Sequence, residues 1–479
     1  MSWLLPAALA LLVMLPRLAS PQFGLLDDGL TLRTGREVVG QWSSVLHLIP
    51  ETGRFFPAYW LVYAAVFGVV GVRPLGFFAV NVLLLAGLLA LLVRLVQLAG
   101  GTRRQASAAA VLFALSGPAV ETFYTLSKAE PLQMAWIGLS LLAAAASAAD
   151  GARARRAALA GLAAAALLLA HATKETSLVL LPVSLGWLAL ERWSSGQPAW
   201  ARFAGTCAVA NLIAALAFAG LRWSYAPLAL AEGTYTRAYS LDATTVGAAL
   251  FRLAAWLVRD FAFLLPLLAA AVLAPTRGGP ASHRLLRYAG VWMAGWLAVY
   301  VPWPATFAYY LLPFAFGGAM LGGVVVGALS LASRRRAWLV LAPAGLLWSL
   351  TVVNAVADGR VQLAVDRANA ELVDFLAGLP GGSRVVLNTR RVTEYLYEVP
   401  LHLSEIKRRP DVVVEHLAPS GHEAPSPAPV FLATPEMSGQ PVPTVRIGLD
   451  EAGARHAGAT LGAVLAGGGE LVYRAGQRA

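Results

Sequence analysis

Leu25-Leu26-Asp27-Asp28-Gly29 sets two adjacent carboxylates a few residues after an apolar segment, Ser2 to Ala19, has ended. No clean small-residue cleavage site precedes Gln22 and many more apolar runs follow. The segment therefore reads as a retained first membrane span rather than a signal peptide. The acidic pair then opens the first loop beyond the membrane. Carboxylates placed there can bind a cation, take a proton from a nucleophile, or cap the helix that follows, and the pair alone leaves all three open.

The rest of the chain supplies the membrane. Of its 479 residues, 58% are hydrophobic and only 13% charged, with a mean hydropathy of +0.64, which excludes an ordinary soluble protein of this size. The expected fold class is mainly α, a polytopic helical membrane protein. Cys207 is the single cysteine, so no intrachain disulfide can form and no cysteine-based metal site exists. The net charge of +11 does not indicate nucleic acid, because many arginines gather in short loops between apolar runs, where retention on the cytoplasmic side accounts for them.

Working outward from the pair, Leu30 to Leu48 is too charged to cross a bilayer and has the length of one or two interfacial helices. Gly53-Arg54-Phe55-Phe56-Pro57 leads into a short apolar run, Ala58 to Val72, which reads as re-entrant or interfacial because a crossing needs roughly 20 residues. Spans are expected at 75–98, 106–120, 131–149, 157–172, 177–191, 203–221, 256–274, 287–303, 307–331 and 337–355; with the first span, eleven crossings. Arginine-bearing loops (Arg103 and Arg104; Arg153, Arg155 and Arg156; Arg192 and Arg202; Arg277, Arg284 and Arg287; Arg334, Arg335 and Arg336) alternate with the others, which puts them on the cytoplasmic side.

The remaining loops then share the outer face with Asp27 and Asp28: Glu121 to Glu130, His171 to Thr176, Arg222 to Asp242, and Pro302 to Tyr310. Two of the three lysines in the chain, Lys128 and Lys174, lie in them, each with a glutamate, Glu130 or Glu175, one or two residues away. These residues read either as mutual ion pairs at span ends or, with Arg54, as a site for a phosphate or pyrophosphate headgroup. His171 stands one helical turn from Glu175, a weak metal pattern, and with Asp27 and Asp28 it completes the candidates for a divalent cation; no cofactor is required by the motifs. Tyr309 and Tyr310 stack on a sugar or belong to an aromatic belt. Gly318, Gly322, Gly323 and Gly327 form a small-residue packing seam.

The C-terminal part divides at about residue 355, giving a membrane unit, 1–355, with a long first outer loop, 21–74, and a small outer α/β domain, 356–479. Val361 to Leu379 has helical spacing, and strands are expected at 384–387, 411–416, 430–433, 444–448 and 470–473, with long loops at 418–429 and 434–443.

The short first span, the acidic pair, the Arg-Phe-Phe-Pro entry to a short apolar helix, the Thr-Lys-Glu-Thr segment at 173–176 and the C-terminal outer domain together resemble the GT-C class of polytopic glycosyltransferases. The arrangement is similar to the bacterial relatives of protein mannosyltransferases and aminoarabinose transferases. That resemblance implies transfer of a sugar from a polyprenyl-phosphate donor to a glycan, lipid or protein acceptor, on the outer face of the bacterial inner membrane. It places Asp27 and Asp28 at the reaction centre and faces Lys128 and Lys174 to the lipid phosphate. Many relatives carry Asp-Glu, so the second position departs from the family pattern. The alternative class is a transporter or flippase for a lipid-linked or anionic substrate, which would place polar residues near mid-membrane in both halves of a repeat; an O-antigen ligase or polymerase is the third reading.

Overall fold

The computed structural model describes residues 4–47, 54–193, 198–226, 239–273, 279–303, 307–329, 334–379, 381–382, 384–388 and 394–416, and the strands 430–433, 444–449 and 471–474. The expected long loops at 418–429 and 434–443, most of Arg222 to Asp242 and Pro304-Ala305-Thr306 lie outside the described residues. The helices are α1 (Leu4–Ala19), α2 (Asp28–Gly40), α3 (Pro57–Val70), α4 (Pro74–Leu98), α5 (Arg103–Ala114), α6 (Gly117–Tyr124), α7 (Glu130–Ala149), α8 (Arg153–Thr173), α9 (Leu180–Trp193), α10 (Pro198–Tyr225), α11 (Ala243–Phe261), α12 (Leu264–Leu273), α13 (Gly279–Ala298), α14 (Leu312–Leu329), α15 (Arg334–Ala377) and α16 (Glu394–Leu401).

The protein is an integral membrane protein with helices at every expected span, but the spans are less uniform than eleven crossings imply. Among the described residues six helices are long and apolar enough to cross a membrane, or up to eight if each of two bent pairs is one span. The expected span 106–120 is broken into α5 and α6, which meet at 57°. Ser116 makes the break: its hydroxyl donates to the Phe113 carbonyl at 2.9 Å and accepts the Ala119 N–H at 3.3 Å, ending one helix and capping the next. The expected span 256–274 begins earlier, at Ala243 behind an Asp242 cap, and breaks by 86° between α11 and α12. The acidic loop holds a helix, α2, and a 3-10 turn, Trp42–Leu46, packed on the short apolar α3.

One core joins α1, α4, α5, α6, α7 and α14. The glycine seam of α14 lets it approach α5 backbone to backbone. A Cβ at Gly323 would lie 2.5 Å from the Gln105 carbonyl oxygen and 2.7 Å from the Ala109 nitrogen, while Gln105 Nε2 donates to the Val324 carbonyl at 3.1 Å. The composition change at residue 355 falls inside α15, which runs on without a break for 44 residues. Its Asp366 forms a buried ion pair with Arg17 of α1 at 2.6 Å, tying the first and the longest helix together below the acidic loop. The C-terminal strands, Arg384–Asn388 (β1), Val413–His416 (β2), Val430–Ala433 (β3), Thr444–Leu449 (β4) and Leu471–Arg474 (β5), form one mixed sheet in the order β2-β1-β3-β4-β5, parallel at β1–β2 and β1–β3 and antiparallel beyond.

The seam gives a direct test of the packing. Gly323→Ala places a methyl group against immovable backbone and is expected to destabilise the protein by about 1–3 kcal/mol, read as a lower melting temperature in detergent. Gly345→Ala, on α15 with nothing within 4 Å, should leave it unchanged or higher.

Candidate active site

The acidic pair does not cap the helix it opens. Asp27 occupies the N-cap position in the left-handed region, φ 67°, and its side chain makes no cap hydrogen bond. Aspartate tolerates this conformation better than most residues, so the turn retains a carboxylate at modest strain. The N–H groups that a cap would accept, those of Gly29 and Leu30, instead donate to the two carboxylate oxygens of Glu398, at 2.7 and 3.1 Å. The capping alternative for the pair is thereby removed. Glu398 is fully buried and comes from α16, some 370 residues away, and Tyr397 beside it donates its hydroxyl to Asp27 at 3.1 Å.

Asp28 turns inward. Its Oδ2 accepts the Gly24 N–H at 2.7 Å and its Oδ1 accepts the Ser127 hydroxyl at 2.7 Å, and only 4% of the residue is exposed. Burial pushes its carboxyl up to about 7; the hydrogen bonds from Ser127 and Gly24 pull down, and the nearby carboxylates of Asp366 and Glu398 push further up. The loop that brings Ser127 is held firmly. Asn81 Nδ2 donates to the carbonyls of Phe123 and Thr125 at 3.0 and 3.1 Å, Tyr63 donates to the Leu126 carbonyl, and Ser127 also meets Thr31 at 3.0 Å.

From Ser127 the site continues into two cations on one aromatic platform. The ammonium of Lys128 lies 4.2 Å from the Tyr309 ring centre and that of Lys174 lies 4.4 Å from Tyr310, with the two rings 4.4 Å apart. Tyr309 and Tyr310 thus serve the lysines directly rather than a surface belt. The ion pairs differ from those adjacent in sequence. Lys174, buried at the end of α8, pairs with the buried Glu130 at the start of α7, whereas Glu175 accepts from Arg222 and from the Phe55 N–H at 3.0 Å. Burial pulls Lys174 down to about 8, Glu130 opposes this, and Arg54 and Lys128 add to the lowering. Arg54 itself packs 5.0 Å from the Phe56 ring centre.

His171 is not part of this cluster. Lys174 adopts an extended conformation that ends α8, so His171 and Glu175 do not share a helical face, and the His171 ring is buried 6.0 Å from Phe218 with neither nitrogen hydrogen-bonded. Among the described residues no group of three His, Cys, Asp or Glu side chains could hold a metal ion. A cavity of about 190 Å³, lined by Trp187, Trp200, Phe203, Tyr288 and Trp292 among others, opens near Ala148, at the far end of α7 from Glu130, about 28 Å away by helical rise. It is almost wholly apolar and has no part in the acidic site. Sequence reading missed Glu398, Tyr397 and Asp366; the only local cue to Glu398 was an acid inside the apolar stretch Tyr395-Leu396-Tyr397-Glu398-Val399.

In sequence the chain matches no protein-family model and no curated protein. In structure it is similar to the aminoarabinose transferase ArnT of Cupriavidus metallidurans bound to undecaprenyl phosphate, with a TM-score of 0.53 at 16% identity over 90% of this chain and 92% of that one. The chain shares its fold with this GT-C glycosyltransferase. The Archaeoglobus fulgidus oligosaccharyltransferase, tethered to an acceptor peptide, gives a TM-score of 0.51 at 10% identity over 86% of this chain. The match covers 63% of that enzyme, so this chain spans less than two-thirds of its length. The apo form of ArnT gives 0.50 at 15% identity. At such identities the likeness establishes the fold alone.

The raised Asp28 carboxyl has a stability consequence of fixed sign. Its folded value lies above the ordinary 3.8, so the native state favours the protonated form; full stability holds below about 3.8 and declines as pH rises toward about 7. Asp28→Asn carries no charge to bury. It is expected to melt higher than the wild type at about pH 8, with the gap closing by about pH 4.

Proposed function

We propose that the protein transfers a sugar from a polyprenyl-phosphate donor to an acceptor at the outer face of the membrane, with Asp28 as general base. The observation that carries this reading is that Asp28 is excused from helix capping, buried, and poised near neutrality, one residue through Ser127 from a paired-lysine platform. A base with an affinity near the ambient pH can hold a proton taken from an acceptor hydroxyl or amine and still be ionised often enough to take it.

In this reaction the acceptor heteroatom attacks the anomeric carbon, its proton passes to Asp28, and the bond from that carbon to the phosphate oxygen breaks. The leaving group is the polyprenyl phosphate. Lys128, with Lys174 and Arg54 behind it, neutralises the charge that builds on the phosphate as the bond breaks, so no protein acid is needed to protonate it. Tyr309 and Tyr310 hold the ammonium groups in place, and Glu130 keeps Lys174 charged in its buried position. Asp27, half-buried and bonded to Tyr397, borders the acceptor side of the turn. ArnT was crystallised with undecaprenyl phosphate, the carrier lipid that a donor of this class releases. With the acidic pair and the lysines on one face, the active site and the C-terminal α/β domain belong outside the cytoplasm.

The test is release of polyprenyl phosphate from a panel of radiolabelled polyprenyl-phosphate sugars by the purified protein in lipid. The wild type is expected to turn over at least one donor, faster as pH rises through about 7, and Asp28→Asn to lose roughly 10²–10⁴-fold in kcat while remaining folded. Full activity in Asp28→Asn, or a wild type inert toward every donor, would refute the assignment.

A further inference from the structure

We propose that Glu398, carried by α16 of the C-terminal segment, is the positioning residue of the acidic site, holding the turn that presents Asp28. The inference rests on the reading of Asp28 as the base. The geometry has four parts. Glu398 takes the N–H groups of Gly29 and Leu30, the second and third of α2, with both carboxylate oxygens. These are the groups an N-cap side chain ordinarily accepts, so a residue remote in the chain supplies the cap and both aspartates are left to other work. Tyr397 reaches Asp27 from the same helical turn. One helical turn on, His402 is buried with Nε2 3.4 Å from Glu398, and farther along, Glu405 pairs with Arg36 of α2 at 2.7 Å.

The fit is close enough to be specific. A Cβ at Gly29 would lie 2.8 Å from Leu401 Cβ and 2.9 Å from the Glu398 carboxylate, so only glycine lets α16 approach this near. Burying an unpaired carboxylate is costly, and Glu398 is stable there because it receives two backbone donors at the positive end of a helix. Its charge is also felt by Asp28. The charged and titratable groups facing Asp28 are Glu398 from α16, Asp366 from α15 with its partner Arg17 from α1, and Tyr59 and Tyr63 from α3; His402 faces Glu398. The segment 394–406 thereby sets the place of the base, adds to the proton affinity that burial chiefly raises, and links the C-terminal segment to chemistry at the acidic site.

Two variants separate positioning from bulk stability, each compared with the wild type and Asp28→Asn for kcat, donor KM and pH profile. Glu398→Gln keeps the shape, removes the charge and sets an amide donor against one of the two N–H groups; it should lower kcat by about ten- to a hundredfold with little change in donor KM. It should also shift the alkaline rise in activity down by roughly half a pH unit or more. Glu398→Asp keeps the charge but lacks the reach, and should lower kcat with the pH midpoint nearly in place; it carries the test alone if the glutamine variant does not fold. Wild-type kcat and pH midpoint in both variants, with Asp28→Asn inactive, would overturn the positioning role and leave the assigned base standing. Retained activity in Asp28→Asn would overturn both.

Discussion

The N–H groups of Gly29 and Leu30 must find acceptors, because they open a helix that is largely buried, and the whole acidic site follows from where those acceptors come from. Had Asp27 supplied them, the pair would be a local structural device. Glu398 supplies them from the other end of the chain, and the two aspartates are released: Asp27 to a tyrosine at the rim, Asp28 to a buried pocket with Ser127 and the Gly24 amide. A second long-range tie, Arg17 with Asp366, holds the same turn from below, and a Cβ at Gly24 would sit 2.9 Å from the Asp366 carboxylate. The turn is therefore held by one residue from α16 and one from α15, both in the C-terminal third of the chain.

The membrane part serves this arrangement by bringing charges of both signs to the end that carries the acidic loop. Lys128, Lys174, Glu130 and Glu175 all sit where helices begin or end near the acidic loop, and the aromatic rings of Tyr309 and Tyr310 pack against the two ammonium groups within one site. The mainly apolar cavity lies at the other end, where Arg284 pairs with Glu191 and packs on Trp200 of its wall. Rigidity comes from small residues: the α14 seam brings the backbones of α5 and α14 together, and α5 ends at the Ser116 break that directs α6 and the Ser127 loop toward Asp28.

Much of this was legible in the sequence because it depends on local composition. Apolar runs gave the helices, the charged stretch after Asp28 gave a short helix of its own, and glycines four apart gave the seam. The outer loops were expected to converge on Asp27 and Asp28, and Ser127 does meet Asp28. Pairing was not legible. Lys174 stands next to Glu175 in sequence yet bonds Glu130, because Lys174 is extended and turns its side chain away from the following residue, and nothing local announces that Glu398 will reach Gly29. The helix breaks at Ser116 and after Phe261 were equally hidden, since apolar composition continues across both while the hydrogen-bonding that ends a helix is decided by single side chains.

As the proposed base, Asp28 holds a proton at pH values where an exposed aspartate would not, and its protonated carboxyl absorption can be followed directly by infrared difference spectroscopy against Asp28→Asn across a pH series. A carboxyl band present in the wild type alone at about pH 5 and vanishing with a midpoint near 7 is the predicted result. A carboxylate already ionised at about pH 5 would rule out Asp28 as a base poised near neutrality and leave it an ordinary acid that happens to lie beside a helix.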